Sequence, residues 1–287
     1  MADITRKNHP LDAHVSRRNF VALCGAGAAG LGLAACGAQP SGDGSADSAK
    51  SESGYTLVEE GKLIGVSDMA YPPLESIPDG GSEPEGFEID MMDALAKKLG
   101  LQMKWLPATK FDTIIPLIKQ GGKADVGVSA FTITDERRQE IDFTDSYLDS
   151  NQGLVAPKAA GELSEEKLNV AGTQIAVQSG TTGEAWVKEN LPEATCVPLD
   201  DAIQAMTGVQ TGLYAACVAD LPVMSYLCKE SYTDLQVAIE IPTGEQYGIV
   251  VSKDNQQLTK DLDKAIAEMQ SDGTMDELQQ KWFGTTL

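Results

Sequence analysis

Residues 125–147 read Asp-Val-Gly-Val-Ser-Ala-Phe-Thr-Ile-Thr-Asp-Glu-Arg-Arg-Gln-Glu-Ile-Asp-Phe-Thr-Asp-Ser-Tyr, and the fold class turns on this stretch. Val126 and Val128 are apolar strand residues, and Gly127 between them admits a close backbone or ligand. A short polar loop follows. Thr134 then caps a helix whose positive first turn carries Asp135 and Glu136. Arg137 brings a forked, planar donor to that helix start, beside the hydroxyls of Ser129, Thr132 and Thr134. Taken singly, Arg137 is a solvated surface arginine. Three hydroxyls and a helix N-terminus at the end of an apolar strand make the set an anion site for a carboxylate or phosphate.

Working outward, strand and helix patterns alternate on both sides. Residues 62–67 form a strand that runs into Tyr71-Pro72-Pro73, an extended loop at the end of the strand where open α/β sheets place ligands. A helix opens at Gly86-Phe87-Glu88, buries Met92, Leu95, Ala96 and Leu99, and closes at Gly100. A strand at 101–106 and a helix from Phe111 to Gly121 lead into the opening stretch. After Tyr147 the pattern restarts, with strands at 151–156 and 174–178. Next comes Ser179-Gly180-Thr181-Thr182-Gly183-Glu184, small residues exposing N–H groups at a helix start. A strand at 195–199, a helix at 201–210 and a buried strand at 214–220 ending in Asp220 follow. The last strand is 247–251. Two amphipathic helices close the chain, the second opened by a Thr274-x-x-Glu277 capping box. The 179–184 loop is no P-loop, since Gly-Lys-Ser/Thr is absent, and 127–131 is no nucleophile elbow, since the closing glycine is absent.

Composition narrows the chemistry. Apolar content of 42% and charge of 23% are those of a globular chain. The formal charge is −21; before Cys36 four basic residues face two acidic ones, a net +2, which leaves −23 for the remainder. Such a body repels phosphate backbones, so no nucleic-acid partner is expected. Both histidines, His9 and His14, precede Cys36. Removal of that segment leaves no histidine, which excludes Ser-His-Asp or Cys-His nucleophiles and His-ligated metal sites. No cofactor and no metal are expected. Cys196, Cys217 and Cys228 remain; an exported chain pairs two of them, Cys217 with Cys228 being closest in sequence, or keeps all three as buried thiols.

The runs Gly121-Gly122-Lys123-Ala124-Asp125, Thr132-Ile133-Thr134-Asp135-Glu136-Arg137 and Phe143-Thr144-Asp145-Ser146-Tyr147 resemble the bacterial extracellular solute-binding proteins of family 3, as does the ending Asp272-Gly273-Thr274 … Lys281-Trp282-Phe283-Gly284. The resemblance spans roughly residues 60–284. It implies a two-lobed α/β periplasmic-binding-protein fold of type II. Each lobe is then a mixed, mainly parallel sheet flanked by helices, with the ligand in the cleft between them. The implied limits are 55–147 plus 247–287 for lobe 1 and 148–246 for lobe 2, the chain crossing twice.

The resemblance also implies roles. Arg137, Thr132 and Ser129, with Ala130 between, hold the α-carboxylate of a free amino acid, assisted by Thr181 and Thr182 after Gln178. Tyr71 is an aromatic wall and Phe111 a second ring across the ligand. Asp68 matches a position used for basic amino acids, and Asp220 faces the α-ammonium. Read without the resemblance, Tyr71 anchors its loop, Asp68 forms a turn, Phe111 braces a helix and Asp220 caps the next helix. The family pattern Gly-Arg-x-Asp-Ala is broken at Gly212-Leu213-Tyr214-Ala215-Ala216.

The expected activity is therefore the binding component of an ABC importer, a monomer that hands its amino acid to a membrane permease. The alternative is a carboxylate-using enzyme on the same fold, such as a cyclohexadienyl (arogenate or prephenate) dehydratase, with Glu184 as its acid. Ahead of the body, Arg17-Arg18 and an apolar run to Ala35 carry secretory-signal features and look like a twin-arginine signal, with Sec export the other route. Leu33-Ala34-Ala35-Cys36 resembles a lipobox, making Cys36 the lipidated first residue of a protein held on the extracytoplasmic membrane face. Residues 37–54 are Ser/Gly/Asp-rich and read as a flexible tether. Cys36→Ala is expected to move the protein from the membrane fraction to the soluble fraction, checked by fractionation and immunoblot; a variant that stays with the membrane counts against lipidation.

Overall fold

In the structure, a computed structural model, residues 54–78 and 80–286 are described. The leader, Cys36 and the tether through residue 53 lie outside the described residues.

The first half of the body runs β1 (Lys62–Val66), β2 (Ala70–Tyr71), β3 (Glu75–Ser76), α1 (Phe87–Lys98), β4 (Gln102–Trp105), α2 (Phe111–Gln120), β5 (Val126–Gly127), α3 (Asp135–Glu140) and β6 (Asp142–Phe143). A second set follows: β7 (Leu148–Pro157), α4 (Glu165–Leu168), β8 (Gln174–Gln178), α5 (Thr182–Asn190), β9 (Thr195–Leu199), α6 (Ala202–Gln210), β10 (Ala216–Asp220), α7 (Leu221–Glu230) and β11 (Leu235–Tyr247). The chain then returns through β12 (Val250–Val251), α8 (Gln256–Ser271) and α9 (Thr274–Phe283).

Two five-stranded sheets result, ordered β4-β1-β5-β12-β6 and β11-β7-β10-β8-β9, and they form the cores of two lobes. Each sheet is mixed. In the first, β4-β1-β5 is parallel and β12 joins antiparallel; in the second, β10-β8-β9 is parallel and β7 joins antiparallel. Leu63, Ile64 and Val66 of β1 and Ile175, Ala176 and Val177 of β8 are fully covered, as expected of parallel strands with helices on both faces.

Phe87, Met91, Met92, Leu95 and Ala96 form the buried stripe of α1, against which α8 and α9 pack. On α8, Leu258, Leu262, Ile266 and Met269 supply the matching face at helical spacing. The C-terminal helices thereby belong to the first lobe, whose sheet β12 also completes. The chain entering this lobe is fastened as well. Asp125 accepts the N–H groups of Val58 and Ile64, both at 2.8 Å, and Asn255 bonds the backbone of Thr56 through both amide atoms.

One expectation fails. The capping box at Thr274 does not form: Gly273 is the N-cap in the left-handed region, and Asp272 accepts the Thr274 N–H instead. Of the two alternatives for the cysteines the structure has the free thiols, Cys217 buried and Cys196 and Cys228 half-buried. The Tyr71-Pro72-Pro73 segment is more than a loop, because Ala70–Tyr71 and Glu75–Ser76 close into a two-stranded hairpin.

The start of α1 shows how tightly that hairpin is held. The N–H groups of Phe87 and Glu88 find their partners in the carbonyls of Pro73 and Leu74, each at 2.9 Å. Gly86 lies between them at φ 143°, and a Cβ there would sit 2.1 Å from the Leu74 oxygen. No L side chain fits, and no movable side chain is there to give way. Gly86→Ala is expected to destabilise the protein by about 3 kcal/mol, read as a lower urea midpoint at unchanged slope; an unchanged midpoint overturns this account.

Candidate ligand-binding cleft

Between the lobes lies an enclosed space lined by Tyr71, Phe111, Ser129, Ala130, Thr132, Arg137, Thr181, Thr182 and Asp220. Nine of the eleven residues expected to bind ligand therefore meet at one place. The remaining two, Asp68 and Gln178, lie beside it and bond each other across the cleft, Gln178 Nε2 donating to Asp68 Oδ2 at 2.6 Å. The enclosed volume is about 10 Å³, roughly the room of one water. An amino acid enters only if the lobes part.

Arg137 is placed by its neighbours. Thr134 caps α3 by accepting the Arg137 N–H at 3.1 Å, as the sequence predicts. The guanidinium lies 5.5 Å and 5.6 Å from the ring centroids of Phe111 and Phe131. Those rings stack at 4.5 Å. Phe111 is thus both a brace and a wall, and its face holds a cation. Arg137 Nη1 donates to the Thr132 carbonyl at 2.8 Å, and Nη2 crosses the cleft to the Gly180 carbonyl at 3.0 Å. Among the described residues no carboxylate forms an ion pair with it. Burial lowers its pKa, partly offset by the more distant Asp220, Glu245 and Glu136.

Asp220 ends β10 and is the N-cap of α7, yet its side chain makes no capping bond. The carboxylate turns inward to Gln152, which also donates to Glu245 at 3.0 Å. The Asp220 backbone N–H meets the Tyr71 hydroxyl at 3.0 Å across the cleft. Desolvation, then the nearby Glu245, push the Asp220 pKa up to about 7. Asp68 rises to about 6 for the same first reason, with Asp201, Asp112 and Asp200 adding repulsion against the bond from Gln178.

Four hydroxyls are already committed. Ser129 donates to Glu75 at 2.6 Å, so toward the cleft it offers lone pairs. Thr181 caps α5 by accepting the Glu184 N–H at 3.1 Å and donates to the Gln178 carbonyl at 2.8 Å. Glu184 in turn accepts the Gly180 N–H at 2.7 Å and pairs with Lys188. Thr132 and Thr182 both donate to Glu245 Oε2, at 2.8 Å and 3.2 Å.

Gln152 and Glu245 were not singled out from the sequence. Gln152 stands in a strand where alternation marks it as one more inward position, and among the described residues its buried Oε1 has no partner. Glu245 follows Gly244 at a break in the β11 ladder, with no motif around it. Among the described residues no group of three His, Cys, Asp or Glu side chains is placed to hold a metal ion.

The arrangement agrees with what the chain resembles. Residues 63–285 match the family model for bacterial extracellular solute-binding proteins, family 3. The ABC transporter glutamine-binding protein GlnH of Bacillus subtilis is 31% identical over 88% of this chain and 92% of its own. Among solved structures, an ancestral arginine-binding protein bound to arginine superposes with a TM-score of 0.73 at 34% identity, covering 78% of this chain and 99% of its own. The ancestral amino acid-binding protein AncCDT-1, described as a precursor of cyclohexadienyl dehydratase, gives 0.73 at 35% identity over 78% and 96%.

The raised Asp220 sets a pH dependence. Between its ordinary 3.8 and about 7, the folded protein keeps this proton and the unfolded chain releases it. Ligand-free stability therefore falls as pH rises through that window, by on the order of 4 kcal/mol in total for this group. Asp220→Asn is expected to flatten that part of the curve, measured by urea unfolding from pH 4 to 8 (~1-unit steps). An unchanged slope in the variant overturns the assignment.

Proposed function

The chain belongs to the bacterial extracellular solute-binding proteins, family 3, and on that footing we propose that it is the lipid-anchored binding component of an ABC importer for amino acids with a basic or other polar side chain. The observation that carries the reading is the Arg137 guanidinium, framed by Phe111 and Phe131, bonded among the described residues only to carbonyls, and facing the same space as Asp220. A zwitterion supplies a carboxylate to the cation and an ammonium to the anion.

In this reading the α-carboxylate displaces Gly180 from Arg137, with Thr132 and Thr182 as nearby hydroxyls. The α-ammonium meets Asp220, displacing Gln152, and takes a lone pair of Ser129. Tyr71 and Phe111 wall the ligand. Its side chain points toward Asp68 and Gln178, where Asp112, Asp200 and Asp201 add negative potential. That field favours a cationic or amide-bearing side chain. The lobes divide as 55–147 with 247–287, and 148–246, a partition supported by membership of the two sheets. The protein acts as a monomer, exported through its twin-arginine leader, lipidated at Cys36, and delivers its cargo to a membrane permease.

One finding favours a second reading. The AncCDT-1 structure ties this fold to a dehydratase, and Glu184 is the acid such a reaction would use here. Both its carboxylate oxygens are engaged, by Gly180 and Lys188, which favours binding without turnover.

A thermal-shift screen of the purified protein against the proteinogenic amino acids tests both. A basic or amide amino acid is expected to raise the midpoint, since ligand at 1,000 times Kd adds about 4 kcal/mol. Arg137→Ala is expected to remove the shift, losing about 2–5 kcal/mol of binding. Retained affinity in that variant overturns the carboxylate assignment, and turnover of prephenate or arogenate overturns the transport reading.

A further inference from the structure

Behind the cleft, outside the residues assigned to ligand, Glu75 and Glu88 lie fully buried side by side. Glu75 is on β3 and Glu88 in the first turn of α1. Among the described residues neither forms an ion pair. The titratable groups facing them are each other, Asp68, Tyr71 and Tyr147, with Asp220 beyond the two tyrosines. Two full negative charges here would have no compensation.

Their hydrogen bonds show how the problem is solved. Glu88 Oε1 accepts the Ala130 N–H at 2.8 Å and the Tyr147 hydroxyl. Glu75 Oε1 accepts the Ser129 hydroxyl at 2.6 Å. Among the described residues, each group keeps one buried oxygen without a donor, Glu75 Oε2 and Glu88 Oε2, and the adjacent residues Ser129 and Ala130, to which they bond, bring the two carboxyls together. A single proton between those two oxygens satisfies both. The donors fix where it resides. Glu88 already receives two N–H or O–H groups and is best kept as the carboxylate, while Glu75 receives one and is best kept as the acid.

We propose that Glu75 and Glu88 share one proton, carried by Glu75, and that this pair is the positioning element that sets the ligand-facing loop at Ser129 and Ala130. Ala130 needs such a hold, because it sits at φ 48°, a conformation unfavourable for a residue with a Cβ. Its N–H is tied down by Glu88, and the preceding hydroxyl is turned away from the cleft by Glu75. The same acid anchors the hairpin bearing Tyr71 to α1, so loop and aromatic wall share one support. Ligand affinity then depends on two side chains that never touch the ligand.

The test rests on the amino-acid-binding reading for one arm only. L-arginine binding by calorimetry is compared for the wild type, Glu75→Gln, Glu75→Ala and Glu88→Gln. An amide at 75 keeps a donor toward Glu88 and an acceptor for Ser129, so Glu75→Gln is expected to bind within about threefold of wild type. Glu75→Ala and Glu88→Gln are expected to weaken binding by about 10- to 100-fold, having lost charge-assisted bonds. The second arm needs no ligand. The infrared difference spectrum of wild type minus Glu75→Gln at pH 8 is expected to show one protonated carboxyl band.

Absence of that band overturns the shared proton, even if a Glu88→Gln protein cannot be purified. Equal loss in Glu75→Gln and Glu75→Ala overturns the asymmetry, as does unchanged binding in Glu88→Gln. Failure of the wild type to bind L-arginine, with the band present, falls on the ligand class and leaves the pair standing.

Discussion

A guanidinium and a carboxyl group lining one gap of about 10 Å³ are the constraint on which this structure depends. Arg137 is stripped of much of its water and bonded to carbonyl dipoles, and Asp220 is buried against an amide and a second acid. Each is left short of the opposite charge that would stabilise it. Much of the fold serves to keep them opposed. Parallel strands in each sheet end at the cleft, β5 leading to the 129–137 segment of one lobe and β10 ending at Asp220 in the other. The rings of Phe111 and Phe131 lie against the guanidinium.

Apolar and polar contacts both bridge the cleft: β2 of the first lobe lies against α6 of the second within one buried apolar cluster. Arg137 reaches Gly180, Tyr71 reaches the Asp220 N–H, and Gln178 reaches Asp68. Lys110 meets Asp200 at 2.6 Å, but both side chains are 60% exposed, and such a pair adds about 0–1 kcal/mol. Of these, the Arg137–Gly180 bond uses the donor that the proposed ligand carboxylate would take. In the proposed reading, the ligand replaces that bond rather than adding to it.

Much of the site was legible because its chemistry is local. Thr134 caps α3 through the Arg137 N–H three residues on, a contact set by neighbours in sequence. Strands 174–178 and 195–199 match β8 and β9 residue for residue, since short apolar runs bounded by turn formers leave little choice. What could not be read is what depends on distant partners. Gln152 and Glu245 lie 93 residues apart and become site residues only when β7 and β11 pair. The proton between Glu75 and Glu88 is equally hidden, because each acid alone is an ordinary member of an acidic chain. At Thr274 the failure runs the other way: the box motif was present, but Gly273 and Asp272 offered the helix a closer start.

Where the described chain emerges has a mechanical meaning. Residues 56–58 are riveted by Asp125 and Asn255 to the lobe built on the first sheet. A pull on whatever precedes residue 54 is therefore borne by that lobe, like a mooring line made fast to one jaw of a clamp.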